Sequence, residues 1–291
     1  MTDTAELFLD SRCELGEGVF WHPLVERLFW FDILNKTLYS ATAGGIMVDR
    51  FTFETAVSAA GVIDADNLAI ASSVGIYRLN IKTDTRELIA PLEADIPGNR
   101  SNDGRVGPSG AMWIGTMAMK DPNTAASGGL YHVRGGTVTK LRDGIQVPNA
   151  TCFSPDGRKA YFTGGANLIQ SVSIDPKTGL PNGPWQDFVR IDGTPAPDGA
   201  VIDSEGFMWN AHWRGHCVVR YSPQGKVDRI VKVPVLQPTC PVLGGKDLKT
   251  LYITSAREGM TPEQLAAEPL SGSVFAIDVD VPGLPEPLFK A

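Results

Sequence analysis

Short apolar runs alternate with turn-forming residues along the whole sequence, and long stretches with helical periodicity are nearly absent. The 31 glycines and 21 prolines punctuate the apolar runs, an arrangement typical of all-β proteins. One segment, residues 261–268 (TPEQLAAE), predicts a helix. Thr261 can serve as its N-cap, and Gln264 three residues later completes a capping box.

One strand-like run recurs at a nearly constant interval. Its copies read LFWFD, LAIAS, MWIGT, AYFTG, MWNAH and LYITS, and they begin at residues 28, 68, 112, 160, 208 and 251. The starts lie 40, 44, 48, 48 and 43 residues apart, and a second strand-like run follows each copy. Repeats of about 40 to 50 residues with four strands each are typical of β-propeller blades. The sequence therefore predicts an all-β, six-bladed β-propeller, and the alternative is a β-sandwich in which the spacing is coincidental.

The two ends of the chain also fit a closed ring. No linker divides the sequence, so we expect residues 1–291 to form a single propeller domain. The segment at about residues 6–12 is expected to complete the last blade. Closure of this kind leaves few exposed strand edges.

The overall charge excludes several classes of partner. With 26 Lys and Arg against 33 Asp and Glu, the formal net charge is −7, and no long basic run is present. This argues against a surface that binds nucleic acid or an anionic membrane. The sequence has no secretory signal pattern and no apolar stretch long enough for a membrane span. We therefore expect a soluble, cytoplasmic protein.

The cysteines do not suggest a disulfide framework or a thiolate metal site. Cys13, Cys152, Cys217 and Cys240 lie far apart in the sequence, without a C-x-x-C pair. We expect them to serve as small buried hydrophobic residues.

The tripeptide Pro-Asp-Gly occurs twice, at residues 155–157 and 197–199, and it is a common β-turn sequence. Asp156 lies four residues before a recurring run, in the turn expected between the first two strands of its blade. Asp198 lies ten residues before the next run, where the innermost strand of a blade begins beside the central channel. Asp198 is therefore a candidate for chemistry, whereas a turn explains Asp156.

The same offset from the recurring run selects oxygen-bearing side chains in other blades. Glu17, Asn102, Asn149 and Asp198 all lie ten or eleven residues before a run, and are expected to face one another around the axis. The general preference of Asn and Asp for turns is the alternative explanation. Two carboxylates and two amide oxygens suit one Ca²⁺, Mg²⁺ or Mn²⁺ ion better than Zn²⁺. Without a cation, one of the two facing carboxyls is expected to hold a proton.

Three loops are expected to form the walls of a pocket above this site. They are residues 117–128, 212–216 (HWRGH) and 255–273. The first loop is either a lid or an ordinary surface loop. His212 and His216 are not expected to bind the metal.

Five stretches together resemble the regucalcin/gluconolactonase-like (SGL) family of six-bladed propellers over nearly the whole chain. They are LGEGVFWH, NRSNDGRVGPSGAMWIGTM, VPNATCFSPDG, PDGAVIDSEGFMWNAHW and LGGKDLKTLYITSAREGM. The resemblance implies a divalent-cation-dependent lactonase that acts on sugar lactones. It also implies that Glu17, Asn149 and Asp198 ligate the metal, while Asn102 lies beside it and binds the substrate or a water molecule on the metal.

The resemblance also implies a set of substrate contacts. Arg100 matches the substrate-contacting arginine of the R-x-N-D-G motif, and Asp103 is the acidic residue within it. Two departures put the identity of the substrate in question: Lys120 stands where relatives can carry an acidic contact, and residues 162–167 (FTGGAN) contain glycines where many members carry an aspartate. The substrate-binding residues predicted in this way are Arg100, Asn102, Asp103 and Lys120.

The mechanism expected from these residues is Lewis-acid catalysis of lactone hydrolysis, with Asp198 as the general base or only as the residue that orients the water. One alternative is a calcium-binding or scaffold propeller whose metal is structural. Another is a propeller hydrolase that acts on a different ester. Cations expected at the mouth of the channel hint at an anionic substituent on the substrate, although ordinary surface charge also accounts for them.

Overall fold

The computed structural model describes residues 3–120 and 127–291. Within these ranges the chain forms six sheets of four or five strands and one short helix. The first strands are β1 (Asp3–Thr4) and β2 (Glu6–Leu9). No helix in the described ranges is both long enough and apolar enough to cross a membrane.

Each later group of four strands forms one sheet, except that the last sheet is completed from the N-terminus. The first sheet contains β3 (Gly16–His22), β4 (Arg27–Asp32), β5 (Thr37–Thr42) and β6 (Met47–Thr52). The second contains β7 (Val57–Val62), β8 (Asn67–Ser72), β9 (Gly75–Asn80) and β10 (Arg86–Pro91). The third contains β11 (Asn99–Val106), β12 (Met112–Ala118), β13 (Gly128–Arg134) and β14 (Thr137–Ile145).

The remaining sheets follow the same order. The fourth contains β15 (Asn149–Phe153), β16 (Lys159–Thr163), β17 (Leu168–Ser173) and β18 (Gln186–Arg190). The fifth contains β19 (Ala196–Ile202), β20 (Met208–Trp213), β21 (Cys217–Tyr221) and β22 (Val227–Lys232). The sixth contains β23 (Pro238–Gly244), β24 (Thr250–Ser255) and β25 (Val274–Asp278), and helix α1 (Pro262–Ala267) lies between β24 and β25.

The sheets are arranged in a ring as a six-bladed β-propeller. The first strand of each sheet contacts the first strand of the next, and β23 of the last sheet contacts β3 of the first. The predicted fold is therefore confirmed. The recurring runs are the second strands β4, β8, β12, β16, β20 and β24.

Burial explains why the second strands could be recognised in the sequence. A blade is covered on both faces by its neighbours, so its second strand loses the alternation of apolar and polar residues. In β4 the consecutive residues Leu28, Phe29, Trp30 and Phe31 are all fully buried. A continuous apolar run is the result.

The N-terminal strands close the ring. Strand β2 pairs antiparallel with β25, with Leu7 opposite Phe275, so the opening segment completes the last blade as predicted. Strand β1 pairs in parallel with β22 of the fifth blade, with Asp3 opposite Val231, a pairing that the sequence did not indicate. Two blades are thus joined by the first few residues of the chain.

The predicted helix and the predicted turn are both present. In α1, the Thr261 side chain accepts a hydrogen bond from the Gln264 backbone N–H, and the Gln264 side chain accepts one from the Thr261 N–H. Asp156 accepts from the Ser154 hydroxyl at 2.6 Å and from the Arg158 N–H at 3.0 Å, as expected for a turn residue. All four cysteines are free, and three of them are buried.

The C-terminal segment, residues 279–291, crosses the face of the propeller where the turns between first and second strands lie. It forms backbone hydrogen bonds with Leu248, Ser204, Val62 and Gly110, which belong to four different blades. Near the middle of this path, Glu286 accepts a hydrogen bond from Nη1 of Arg105 at 2.6 Å. Both side chains of this ion pair are largely buried, with exposures of 13% and 14%. The segment therefore covers the end of the central channel that opens on this face.

Candidate active site

A β-bulge interrupts the first strand of every blade close to the positions selected by sequence offset. The shifts in register lie between Glu17 and Phe20, Val57 and Ala59, Ser101 and Gly104, Asn149 and Cys152, Pro197 and Ala200, and Pro238 and Pro241. A bulge bends a strand locally and re-aims the side chains beside it. The repeated bulge thus turns these positions toward the axis.

The bulge in the first blade depends on Gly18. This residue has a φ of 55°, and a Cβ atom built on it would lie only 2.1 Å from the carbonyl oxygen of Ser58. No side chain fits in that space, so the first and second blades can approach this closely only at a glycine. The Gly18 N–H donates to Oε2 of Glu17 at 2.9 Å, which holds the carboxyl group in place.

Four of the bulged strands, β3, β11, β15 and β19, line one cavity of about 380 Å³. Its lining includes Glu17, Arg100, Asn102, Asn149 and Asp198. Five of the seven residues predicted from the sequence therefore meet in one place, although they come from four different blades.

Hydrogen bonds connect the residues on one side of the cavity. Nδ2 of Asn102 donates to Oδ1 of Asn149 at 2.9 Å and to the Pro148 carbonyl at 2.8 Å. Nη1 of Arg100 donates to Oδ1 of Asn102 at 2.6 Å. Because an amide oxygen has two lone pairs, Oδ1 of Asn149 can accept from Asn102 and still ligate a cation.

The carboxyl groups of Glu17 and Asp198 also line the cavity and are close enough to influence each other's protonation. Both side chains are buried. Burial, and then the neighbouring Asp103, raises the pKa of Glu17 to about 7. Burial and the facing Glu17 raise the pKa of Asp198 well above its usual range. This is the behaviour expected of two facing carboxyls that share protons in place of a cation.

These groups suit a hard divalent cation. Two carboxylates and one asparagine oxygen are ligands that Ca²⁺, Mg²⁺ and Mn²⁺ accept, and their charge would balance that of the ion. In residues 3–120 and 127–291, no three His, Cys, Asp or Glu side chains cluster so that they could hold a metal. The candidate set depends on the amide oxygen of Asn149 as its third ligand.

Two residues predicted to bind substrate lie elsewhere. Asp103 is buried and accepts a hydrogen bond from the Thr151 N–H at 2.7 Å. It borders a smaller space together with Arg105 and Glu286, and it does not line the main cavity. Lys120 is exposed, and it is also absent from the cavity lining.

The three loops predicted as walls each contribute a residue to the cavity: Met117, Trp213 and Glu258. Part of the first loop, residues 121–126, lies outside the described residues, so the prediction of a lid concerns a segment that is not described. Neither histidine of the second loop lines the cavity. Burial lowers the pKa of His212 to about 4, and its Nε2 lies 3.0 Å from the hydroxyl of Tyr221.

Two residues of the site were not found from the sequence. Asn210 of β20 is fully buried, and its Nδ2 donates to the carbonyl oxygens of Asp198 at 2.8 Å and Gly199 at 3.1 Å. It therefore fixes the bulge that carries Asp198. The sequence signal that could have identified Asn210 is its polar side chain within the apolar run that begins MWNAH. Glu258 lies in a loop, where no offset from a strand could identify it.

Comparisons with known proteins identify the family of this chain. Residues 15–257 match the family described as SMP-30/Gluconolactonase/LRE-like region. A 6-deoxy-6-sulfogluconolactonase of Pseudomonas putida is 34% identical over 99% of this chain and 99% of its own. An L-arabinolactonase of Azospirillum brasilense is 33% identical over 93% of this chain and 90% of its own.

The fold is also very similar to that of a solved structure. The crystal structure of a calcium-binding protein, regucalcin, from Agrobacterium tumefaciens has 38% sequence identity and a TM-score of 0.95, with 100% of both chains covered. The family of this chain follows from three findings: the ring of six blades, the match over most of the sequence and the related lactonases. This chain belongs to the SMP-30/gluconolactonase/LRE-like family, which includes sugar lactonases.

Proposed function

We propose that this protein is a divalent-cation-dependent lactonase that hydrolyses a sugar lactone to the corresponding sugar acid. The observation that carries the proposal is the meeting of Glu17, Asn149 and Asp198 at a cavity that also contains Arg100. The cavity volume of about 380 Å³ lies within the range of about 300 to 1,000 Å³ typical of small-molecule sites. The related lactonases and the calcium-binding relative support the same activity and the same kind of ion.

The roles of the residues follow from their positions. Glu17, Asn149 and Asp198 hold the cation, which supplies Lewis acidity to the lactone carbonyl when it is bound. Asp198 accepts a proton from the attacking water and returns it to the ring oxygen as the ester bond breaks. Arg100 and Asn102, which are already hydrogen-bonded to each other, orient the hydroxyl groups of the sugar.

A calcium-binding protein without catalysis is the second candidate, because the relative of known structure is named for calcium binding. A structural ion does not need an adjacent cavity that contains a buried guanidinium. Arg100 is 7% exposed and lines that cavity. The lactonase is therefore the better supported proposal.

The direct test is a panel of aldonolactones assayed by proton release at controlled pH. The protein is first stripped with a chelator and then supplied with Ca²⁺, Mg²⁺, Mn²⁺ or Zn²⁺ separately. We expect activity to vanish on stripping and to return with an oxygen-preferring cation. Since such lactones also open spontaneously, Glu17→Gln serves as the control. Equal rates for the two proteins across the panel would exclude the lactonase proposal.

Cation binding is expected to release protons from the site. Below about pH 7 the metal-free pair of Glu17 and Asp198 holds protons, because the pKa of both groups is raised. A cation requires both carboxylates to be ionised. Its apparent affinity should therefore rise as the pH increases through about 7, with more protons released at about pH 6 than at about pH 9.

Calorimetric titrations with Ca²⁺ in two buffers of different ionisation enthalpy would count these protons. Glu17→Gln removes one of the titrating groups and should release fewer. An affinity that falls as the pH is raised would contradict the assignment of these carboxylates as ligands.

A further inference from the structure

The charges around the cavity determine which substituents a substrate can carry. The charged residues of its lining are three acids, Glu17, Asp198 and Glu258, and one base, Arg100. A divalent cation would balance the remaining charge of the ionised groups. Of the cavity-lining residues in the described part of the chain, Arg100 is the only lysine or arginine.

The other cations expected near the mouth of the channel do not add positive charge to the cavity. Lys120 and Arg214 are exposed and are not part of the lining. Burial lowers the pKa of His212 to about 4, so this side chain is neutral at physiological pH. The charges of the cavity therefore do not support the sequence-based hint that the substrate carries an anionic substituent.

The backbone of Glu258 is held by two hydrogen bonds. Its N–H donates to the carbonyl oxygen of Glu14 at 2.9 Å, and its own carbonyl accepts from Nε2 of Gln237 at 3.0 Å. Gln237 is fully buried, so the anchor belongs to the rigid core of the propeller. This fixed backbone places the Glu258 side chain in the lining although the residue lies in a loop.

The Glu258 carboxyl group and the Arg100 guanidinium both line the cavity and are close enough to attract each other. Nη1 of Arg100 is engaged with the Ser101 carbonyl at 3.0 Å and with Oδ1 of Asn102 at 2.6 Å. A ligand in the cavity would thus meet both a carboxylate and a guanidinium. Carboxylates accept hydrogen bonds from sugar hydroxyls, and they repel carboxylate, sulfonate and phosphate groups.

We infer that Glu258 is a specificity-determining residue that accepts hydrogen bonds from the hydroxyl groups of an uncharged sugar lactone and disfavours lactones with an anionic substituent. This inference rests on the proposed lactonase function and names the substrate class of the same site. Specificity of this kind combines an attraction to one substrate with a repulsion of its competitor.

The test compares two lactones of the same ring size, an uncharged aldonolactone and an analogue with a carboxylate on the terminal carbon. We expect the wild-type protein to prefer the uncharged lactone by at least about tenfold in kcat/KM. Glu258→Gln keeps the size of the side chain but removes its charge. It should raise KM for the uncharged lactone, leave kcat nearly unchanged, and reduce the preference to within about threefold.

The matched control is Glu263→Gln, which removes a carboxylate from the exposed helix α1 in the same loop. This variant should behave like the wild-type protein. A wild-type protein that opens both lactones equally well, or a Glu258→Gln variant with unchanged preference, would overturn the inference while leaving the lactonase function intact. A wild-type protein that opens neither lactone faster than the spontaneous reaction would overturn both.

Discussion

Replacement of Asp198 by Asn is expected to lower kcat/KM for lactone hydrolysis by about 10³-fold, because general-base catalysis contributes roughly 10² to 10⁴. The amide keeps an oxygen that can face the cation, but it can neither accept the proton of the attacking water nor balance the charge of the ion. The fold should survive, because the hydrogen bonds from Asn210 involve the backbone of this segment and not its side chain. Initial rates by proton release, corrected for spontaneous opening, would measure the loss.

The second Pro-Asp-Gly tripeptide of the chain provides a matched control. Asp156→Asn makes the same chemical change in an exposed turn and should leave kcat/KM unchanged. Calcium affinity of the Asp198→Asn protein, measured by calorimetry, distinguishes the two roles of Asp198. Retained affinity with lost activity would assign it as the base, whereas full activity would remove it from the mechanism.

Substitution of Arg105 by Met is expected to reduce the free energy of unfolding by about 3–5 kcal/mol, the usual cost of breaking a buried ion pair by removing one partner. Arg105 lies between two acids: Glu286, at 2.6 Å, and Asp103, which is also buried. Without the guanidinium, both acids remain in the channel without a counter-charge. Equilibrium unfolding in urea would measure the change, with Lys82→Met, at an exposed pair with Asp66, as the control.

A double variant separates the pair from its surroundings. When Arg105→Met is combined with Glu286→Leu, the two substitutions should together cost less than the sum of their separate effects, because no charge of the pair remains unpaired. Strictly additive losses would mean that Arg105 and Glu286 contribute independently, and the stabilising role assigned to this ion pair would be wrong.

The blade repeat could be predicted because each second strand is covered on both faces and therefore reads as a continuous apolar run. The pairing of β1 with β22 could not be predicted, since Asp3 and Thr4 carry no apolar pattern. The path of residues 279–291 across the propeller could not be predicted for a similar reason. This segment is held by backbone hydrogen bonds and by the long-range contact of Glu286, neither of which leaves a periodic signal.

The metal-ligand candidates could be predicted because equal offsets in symmetry-related blades lead to one axis. Asn102 and Asp103 are adjacent in the sequence but lie in different surroundings. Both residues fall in the β-bulge between Ser101 and Gly104, where the regular alternation of a strand is broken. Asn102 lines the cavity, while Asp103 accepts a hydrogen bond from the Thr151 N–H outside it. The R-x-N-D-G motif alone could not separate the two. Glu258 and Asn210 could not be placed from the sequence, because the first lies in a loop and the second acts from a neighbouring strand.

The pairing of Leu7 with Phe275 bears on how the molecule is made. The ribosome synthesises Leu7 long before Phe275, because most of this sequence lies between them. At about 5–20 residues per second, the leading segment must wait for many seconds before its partner emerges. Contacts so distant in sequence also form slowly. The last blade can therefore close only after Phe275 has emerged from the ribosome, and a chaperone that shields the waiting segment should increase the yield of active protein.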